Sequence, residues 1–256
     1  TFFTLPQAHN RLRRSRAFRE GLRASIRRAD LVVVPSRATA RDLHRLAPGL
    51  AADAVRVIPH GIAAQFVPHS PDSVALVLTR LGIRKPYLLH VGTLEPRKNL
   101  EALLEAFRRL RADVRIDLDL VLAGKAGWGH EGLLRSLQAP DLAGRVHYLG
   151  YVADGDLPAL YSGARLFVFP SSYEGFGLPP LAAMACGTPV VAPAADALAE
   201  NLAGAAVLVD PSALVIQAAL TRVLHDPVEL LRLRAAGLER ATQFRWESAA
   251  RATRAC

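Results

Sequence analysis

The apolar and polar positions of this chain alternate between two periods. Short apolar runs at 30–35, 55–58, 87–91, 118–123, 145–148, 166–169, 189–192 and 206–209 are closed by proline, glycine or charged residues. Each has the length and composition of a strand buried on both faces. Between them, apolar residues recur at helical spacing: a helix capped by Ser36 and running to Leu46, one starting at about Leu100, then Ser212 to His225, Val228 to Ala236, and the residues from Phe244 onward. Regular alternation of strand and helix predicts an α/β architecture with a parallel sheet covered on both faces. Ligands of such sheets bind beyond the carboxyl ends of the strands, so the loops after each strand are the informative places.

The loop in residues 167–193, F-V-F-P-S-S-Y-E-G-F-G-L-P-P-L-A-A-M-A-C-G-T-P-V-V-A-P, joins a strand to a helix. Gly175 and Gly177 flank Phe176 and let the backbone come close to a ligand, while Pro179 and Pro180 suit a first helical turn that needs no amide donor. Leu181, Met184 and Ala185 form the apolar stripe of that helix, and Gly187 stops it. Glu174 stands just before the helix N-terminus, where amides and dipole favour an anion. The arrangement suits a phosphorylated ligand that also carries hydroxyls; an ordinary crossover with a solvated acid would look the same.

The loop after 87–91 reads H-V-G-T-L-E-P-R-K-N. Adjacent cations Arg97 and Lys98 at a helix N-terminus face the positive end of its dipole, a costly placement unless an anion offsets it. A diphosphate would do so, with Arg supplying bidentate geometry and Lys a mobile point charge. A solvated pair is the alternative. Residues 123–129 place three glycines around Trp128, which serves turns as well as ligand approach.

These loops carry a resemblance. S-S-Y-E-G-F-G-L-P-P followed by M-A-C-G-T-P-V-V-A resembles the donor-site signature of the retaining family 4 glycosyltransferases, which have the GT-B fold. V-G-T-L-E-P-R-K-N-L is similar to the matching loop of its mannosyltransferases, and the stretch A-D-L-V-V-V-P-S to V-R-V-I-P-H-G-I resembles the end of a GT-B N-terminal domain. The resemblance implies a Rossmann-like C-terminal domain plus part of a Rossmann-like N-terminal one, divided as 1–67, 68–238 and a returning C-terminal helix at 239–256. It implies hexosyl transfer, with retention, from a GDP- or UDP-linked sugar to a glycan or lipid-linked acceptor in cell-envelope polysaccharide synthesis, with no metal and no separate cofactor.

Carried over residue by residue, Glu174 holds the donor sugar while Arg97 and Lys98 grip the diphosphate. Gly92, Thr93, Gly124, Lys125, Val152, Gly175, Phe176, Gly177 and Leu178 line the donor site. The family carries a second glutamate eight positions after the first, for the ribose; here that position is Ala182, so a non-catalytic or truncated nucleotide-sugar-binding remnant is the alternative. Thr93 stands where many relatives have arginine, and Glu200 follows a segment in which relatives usually carry proline.

Composition narrows the remainder. With 256 residues, 51% of them hydrophobic, the chain has enough apolar material for one large or two small domains. Two cysteines, Cys186 and Cys256, supply neither a disulfide framework nor metal spacing and fit a reduced cytoplasmic compartment. No apolar run approaches the roughly 18 residues of a membrane span, and no signal peptide is visible. The chain begins at Thr1 without methionine, so a fragment is expected.

The net charge of +9 comes with a lopsided use of arginine and carries little weight. Eight arginines between 11 and 28, with Leu12, Phe18, Leu22 and Ile26 on one face, read as a basic amphipathic helix. It either touches anionic head groups or a lipid-linked acceptor, making the protein peripheral to the inner membrane face, or is a solvated helix in an arginine-rich chain, the simpler account. No nucleic-acid partner is implied. A dinucleotide-binding enzyme is disfavoured, since no strand is followed by G-x-G-x-x-G with an acid about 20 residues on.

Overall fold

The structure, a computed structural model, describes residues 16–113 and 115–256. Its first unit holds α1 (Arg16–Arg28), β1 (Val32–Val34), α2 (Arg37–Leu46) and β2 (Val55–Val57), with β1 and β2 parallel. The second comprises α3 (Pro71–Arg80), β3 (Tyr87–Val91), α4 (Leu100–Leu110), β4 (Asp119–Ala123), α5 (Glu131–Leu137), β5 (Val146–Gly150), α6 (Leu157–Ser162), β6 (Leu166–Val168), α7 (Leu178–Ala185), β7 (Val190–Pro193), α8 (Asp196–Leu202), β8 (Val207–Val209), α9 (Ala213–Leu224) and α10 (Pro227–Ala241). A last helix, α11 (Trp246–Arg254), follows.

The six strands from β3 to β8 form one sheet in the order β5-β4-β3-β6-β7-β8, parallel throughout. Alternate side chains divide into two cores. Tyr87, Leu89, Val121, Phe167 and Val190 pack on one face with Tyr161, Leu181 and Met184, while Leu88, Leu120, Leu166 and Val191 pack on the other with Leu103, Phe107 and Leu220. Burial on both faces explains why these strands read as unbroken apolar runs. The expected α/β architecture with a parallel sheet is therefore present, and the strands fall within one or two residues of their predicted limits. Helix α3 was not singled out from the sequence, and α10 extends to Ala241 rather than 236.

Helix α2 starts as its sequence predicts, with the Ser36 side chain accepting the Thr39 amide. For the basic helix, residues 11–15 lie outside the described residues. In the described part, Ile26 and Leu22 pack on Val34, Leu43 and Leu46, so these apolar residues are committed to the first unit's own core. Arg27 and Arg28 are exposed. Among the described residues no helix is long and apolar enough to cross a membrane.

Candidate functional site

Strand β3 lies between β4 and β6, so the crossovers leaving β3 and β6 diverge and a crevice opens at their carboxyl ends. The two loops singled out from the sequence border that crevice. A 3-10 turn, Pro96–Lys98, delivers Arg97 and Lys98 after β3, and residues 171–177 deliver Glu174 after β6. Asn99 caps α4 from a left-handed conformation, φ 54°. Its side-chain amide donates to the carbonyls of Pro170 and Pro211 at 3.2 and 2.9 Å. The backbones are joined as well: the amide and hydroxyl of Ser172 donate to the Arg97 carbonyl at 2.9 and 3.0 Å.

Four charges meet there. Glu174 Oε1 accepts from Arg97 Nη1 at 2.6 Å, Lys98 Nζ at 2.7 Å and Ser171 Oγ at 2.7 Å. Arg97 also donates through Nε and Nη2 to Glu95 Oε1 at 3.0 and 2.6 Å and through Nη1 to the Tyr173 carbonyl at 2.7 Å. The Trp128 indole N–H donates to Glu95 Oε2 at 3.1 Å. Lys98 Nζ stands 4.7 Å from the centre of the Phe169 ring.

Two carboxylates thus balance the two cations, so the offset expected from a diphosphate is already present inside the protein. Glu95, which supplies half of it, was not picked out from the sequence, and Trp128 was noted there only for its glycine-rich loop. Burial tends to raise the pKa of Glu174, but the charges of Lys98 and Arg97 and the hydrogen bonds from Lys98 and Ser171 outweigh it and hold the acid below its ordinary value. For Lys98 burial dominates and lowers the pKa even though Glu174 opposes it.

Beneath the turn lies His90, fully buried, with its ring stacked 5.6 Å from Phe169. Its Nδ1 is 3.0 Å from the Val168 carbonyl, and burial lowers its pKa to about 4, so the ring is neutral and donates from Nδ1. Nε2 has no partner and would lie 3.1 Å from a Cβ placed on Gly92.

The other predicted positions divide into mouth and frame. Thr93, Lys125 and Leu178 are exposed around the crevice, with Lys125 Nζ 5.0 Å from the Tyr151 ring centre. Gly124 is required by packing: at φ +143° its Cβ would lie 2.0 Å from the Gly92 carbonyl oxygen. Gly177 caps α7 at φ +92°. The side chain of Phe176 points away from a ligand approach and packs edge-on against His60 and Phe244 at 4.9 and 5.7 Å. Val152 and Ala182 are core residues, each 6% exposed, so Ala182 presents no polar group to a ligand. The carbonyl of Gly175 faces the first unit and accepts from Ser36 and Thr39.

Contrary to the expectation from the sequence, Gly127 to Gly132 does spell G-x-G-x-x-G, four residues past Ala123. It lies in the connection from β4 to α5 but does not turn tightly from strand into helix, since three residues separate it from Ala123. The amide of Gly127 donates to the Leu94 carbonyl at 2.9 Å, and Gly129 packs on Pro96, so the string folds onto the β3 loop. Among the described residues no group of three or more His, Cys, Asp or Glu is placed to hold a metal ion.

Solved structures place this architecture in a class. The chain superposes on sucrose-phosphate synthase from Thermosynechococcus elongatus with a TM-score of 0.83 and 28% identity, over 96% of this chain and 62% of that one. Anabaena Alr3699/HepE, solved with UDP-glucose, superposes with a TM-score of 0.81 at 22% identity, over 93% and 68%. The fold is that of the GT-B proteins. The chain belongs to the group 1 glycosyl transferases, whose family model matches residues 80–240, and a model described as Glycosyltransferase Family 4 matches residues 2–66.

Among curated relatives it is 36% identical over 250 residues to the Escherichia coli O-antigen chain mannosyltransferase B, covering 97% of this chain and 65% of that protein. It is 39% identical over 163 residues to an MMP alpha-(1->4)-mannosyltransferase of Mycolicibacterium hassiacum, covering 62% and 39%. The chain therefore spans less than two thirds of the length of these relatives.

Proposed function

We propose that this chain carries the donor side of a glycosyltransferase that moves a hexosyl group from a GDP- or UDP-linked sugar to a glycan or lipid-linked acceptor with retention. The observation that carries the reading is the meeting of Arg97 and Lys98 on one oxygen of Glu174, at 2.6 and 2.7 Å, at the sheet's switch point. Residues 77 and 76 positions apart in the chain meet where nucleotides bind in this topology. The E. coli relative's name, a mannosyltransferase, favours GDP-mannose as the first donor to try.

The mechanism follows from the charges. As the C1–O bond to the diphosphate breaks, negative charge grows on the leaving group, and Arg97 and Lys98 are the cations placed to take it up. They release part of their contact with Glu174 as they do so. The Glu174 carboxylate then turns its acceptor oxygens to the sugar hydroxyls. The acceptor oxygen forms its bond to C1 on the face the phosphate leaves, and the acceptor proton passes to a phosphate oxygen. The exposed arginines of α1 are where an anionic lipid-linked acceptor would lie.

Ala182 favours a second reading, a nucleotide-sugar-binding chain without transfer, because its buried methyl leaves the ribose hydroxyls unmatched from this position. Calorimetric titration with GDP, UDP and their sugar conjugates decides between these accounts when paired with a transfer assay. Binding of one nucleotide, weakened about 10- to 100-fold in Arg97→Ala and Lys98→Ala, is the expected outcome. Equal binding by parent and variants would overturn the donor site. Binding without transfer by a protein that includes the complete acceptor domain would leave the second reading.

A further inference from the structure

One face of α2 is bound to the loop that carries Glu174. Ser36, Thr39 and Asp42 recur every three residues and so share a side of the helix. Ser36 Oγ donates to the Gly175 carbonyl at 2.8 Å, and Thr39 Oγ1 donates to the same oxygen at 3.0 Å. The Tyr173 hydroxyl donates to the Asp42 carboxylate. From the other side, Glu200 of α8 accepts the α2 amides of Arg37 and Ala38, each at 3.1 Å, one through each carboxylate oxygen. Glu200 therefore caps a helix of the first unit, not its own. Ser36 is 1% exposed, so its hydroxyl works in a dry setting.

The contacts bracket Glu174 in sequence. Tyr173 is fixed by its side chain and Gly175 by its carbonyl, and the Tyr173 carbonyl is in turn held by Arg97. With the peptides on either side pinned, the direction in which Glu174 leaves the backbone is set. Gly175 has no side chain of its own to restrain it.

We propose that Ser36 and Thr39, seconded by Asp42 and Glu200, are positioning residues for the donor loop: docking of α2 orients Glu174 and the amides that follow it. The inference rests on the donor-site reading above, since it assigns regulation of that same loop to the acceptor-side unit. Donor-site competence and the seating of the acceptor-side unit are then two sides of one coupling, so each strengthens the other. No atom of Ser36 or Thr39 is required to touch substrate.

The test uses hydrogen exchange on this chain, which needs no ligand, together with nucleotide titration. In Ser36→Ala/Thr39→Val, amides of residues 173–177 should exchange about ten-fold faster while β3 and β6 keep their protection. Nucleotide affinity should fall by about ten-fold, and Thr39→Ser should behave as the parent. Tyr173→Phe leaves the Ser36 cap intact and should loosen the same amides, which covers the case in which the double variant unfolds α2. Unchanged loop exchange in both Tyr173→Phe and a folded double variant would overturn the proposal. A parent that binds no nucleotide, with variants that still loosen as described, would instead remove the donor-site reading and leave the positioning standing.

Discussion

The strands of the main sheet carry a charge cluster at each end, and the two are built to different rules. At the carboxyl end, Glu95, Arg97, Lys98 and Glu174 have side chains between 9% and 16% exposed. At the amino end, Lys85 pairs with Asp117 at 2.9 Å, Arg145 with Asp117 at 2.7 Å and with Asp119 at 2.9 Å, and His147 with Asp119 at 2.8 Å. There exposure grades from 6% at Asp119 to 65% at Asp117, so the outer part of that cluster stays in water. Each cluster has two basic chains and two acids, apart from His147. The carboxyl-end group gives up far more hydration for the same formal balance, and Lys98 shows it in a lowered pKa. A fold has no need of so dry a set of charges at a loop when a wetter set can tie neighbouring strands together, as it does for β3, β4 and β5. That contrast is a physical argument for function at one end and stability at the other.

The largest effects should come from breaking the dry cluster. Glu174→Ala leaves Arg97 and Lys98 adjacent and short of an anion. Sugar transfer should fall by about 10²- to 10³-fold, and unfolding free energy by about 3–5 kcal/mol. Transfer assays and urea unfolding check these separately. Glu174→Gln sharpens the point through pH. The acid's folded pKa lies below its ordinary 4.5, so its charged form stabilises the fold fully above that value and loses the contribution as pH falls through the folded value. The stability gap between parent and Glu174→Gln should be widest near neutrality and close on acidification. A gap that does not change with pH would mean that the ion pairs contribute nothing to folding.

How far such contrasts could be seen beforehand depends on the range of the interaction. The strands were legible because burial on both faces leaves an apolar run, a local mark. Arg97, Lys98 and Glu174 were legible through their loops. Their mutual pairing was not, because nothing local says that residues 76 positions apart will touch. Ala182 in the core, Phe176 turned into the unit boundary, and Glu200 capping a helix some 160 positions away were hidden for the same reason. Glu95 is a different case. It lies two residues from Arg97, where a turn and not a helix brings side chains together, so helical spacing gave no hint.

Breaking the wet cluster at its most buried member should give an intermediate effect of the opposite kind. Asp119 is buried and bridges Arg145 and His147 across β4 and β5. Asp119→Ala removes that acceptor and should cost about 1–3 kcal/mol of stability. Nucleotide affinity should remain at the parent value, since the change lies at the opposite end of the strands. A loss of affinity without a loss of stability would reverse the roles assigned to the two ends.

The smallest effect is expected at Lys85. Its ammonium meets Asp117 with both carboxylate oxygens within 3.0 Å, a geometry that looks strong on distance alone. Yet the lysine side chain is 43% exposed and the aspartate 65%. Water weakens the attraction, holding a long flexible side chain in one rotamer costs entropy, and salt screens what is left. Asp117 also keeps its contact with Arg145, so removing the lysine leaves no stranded charge. Lys85→Ala should therefore shift the urea midpoint by no more than the error of the measurement, at low salt and at high salt alike. A clear shift at low salt that vanishes at high salt would show that the outermost pair contributes after all, and that exposure alone does not separate the two ends.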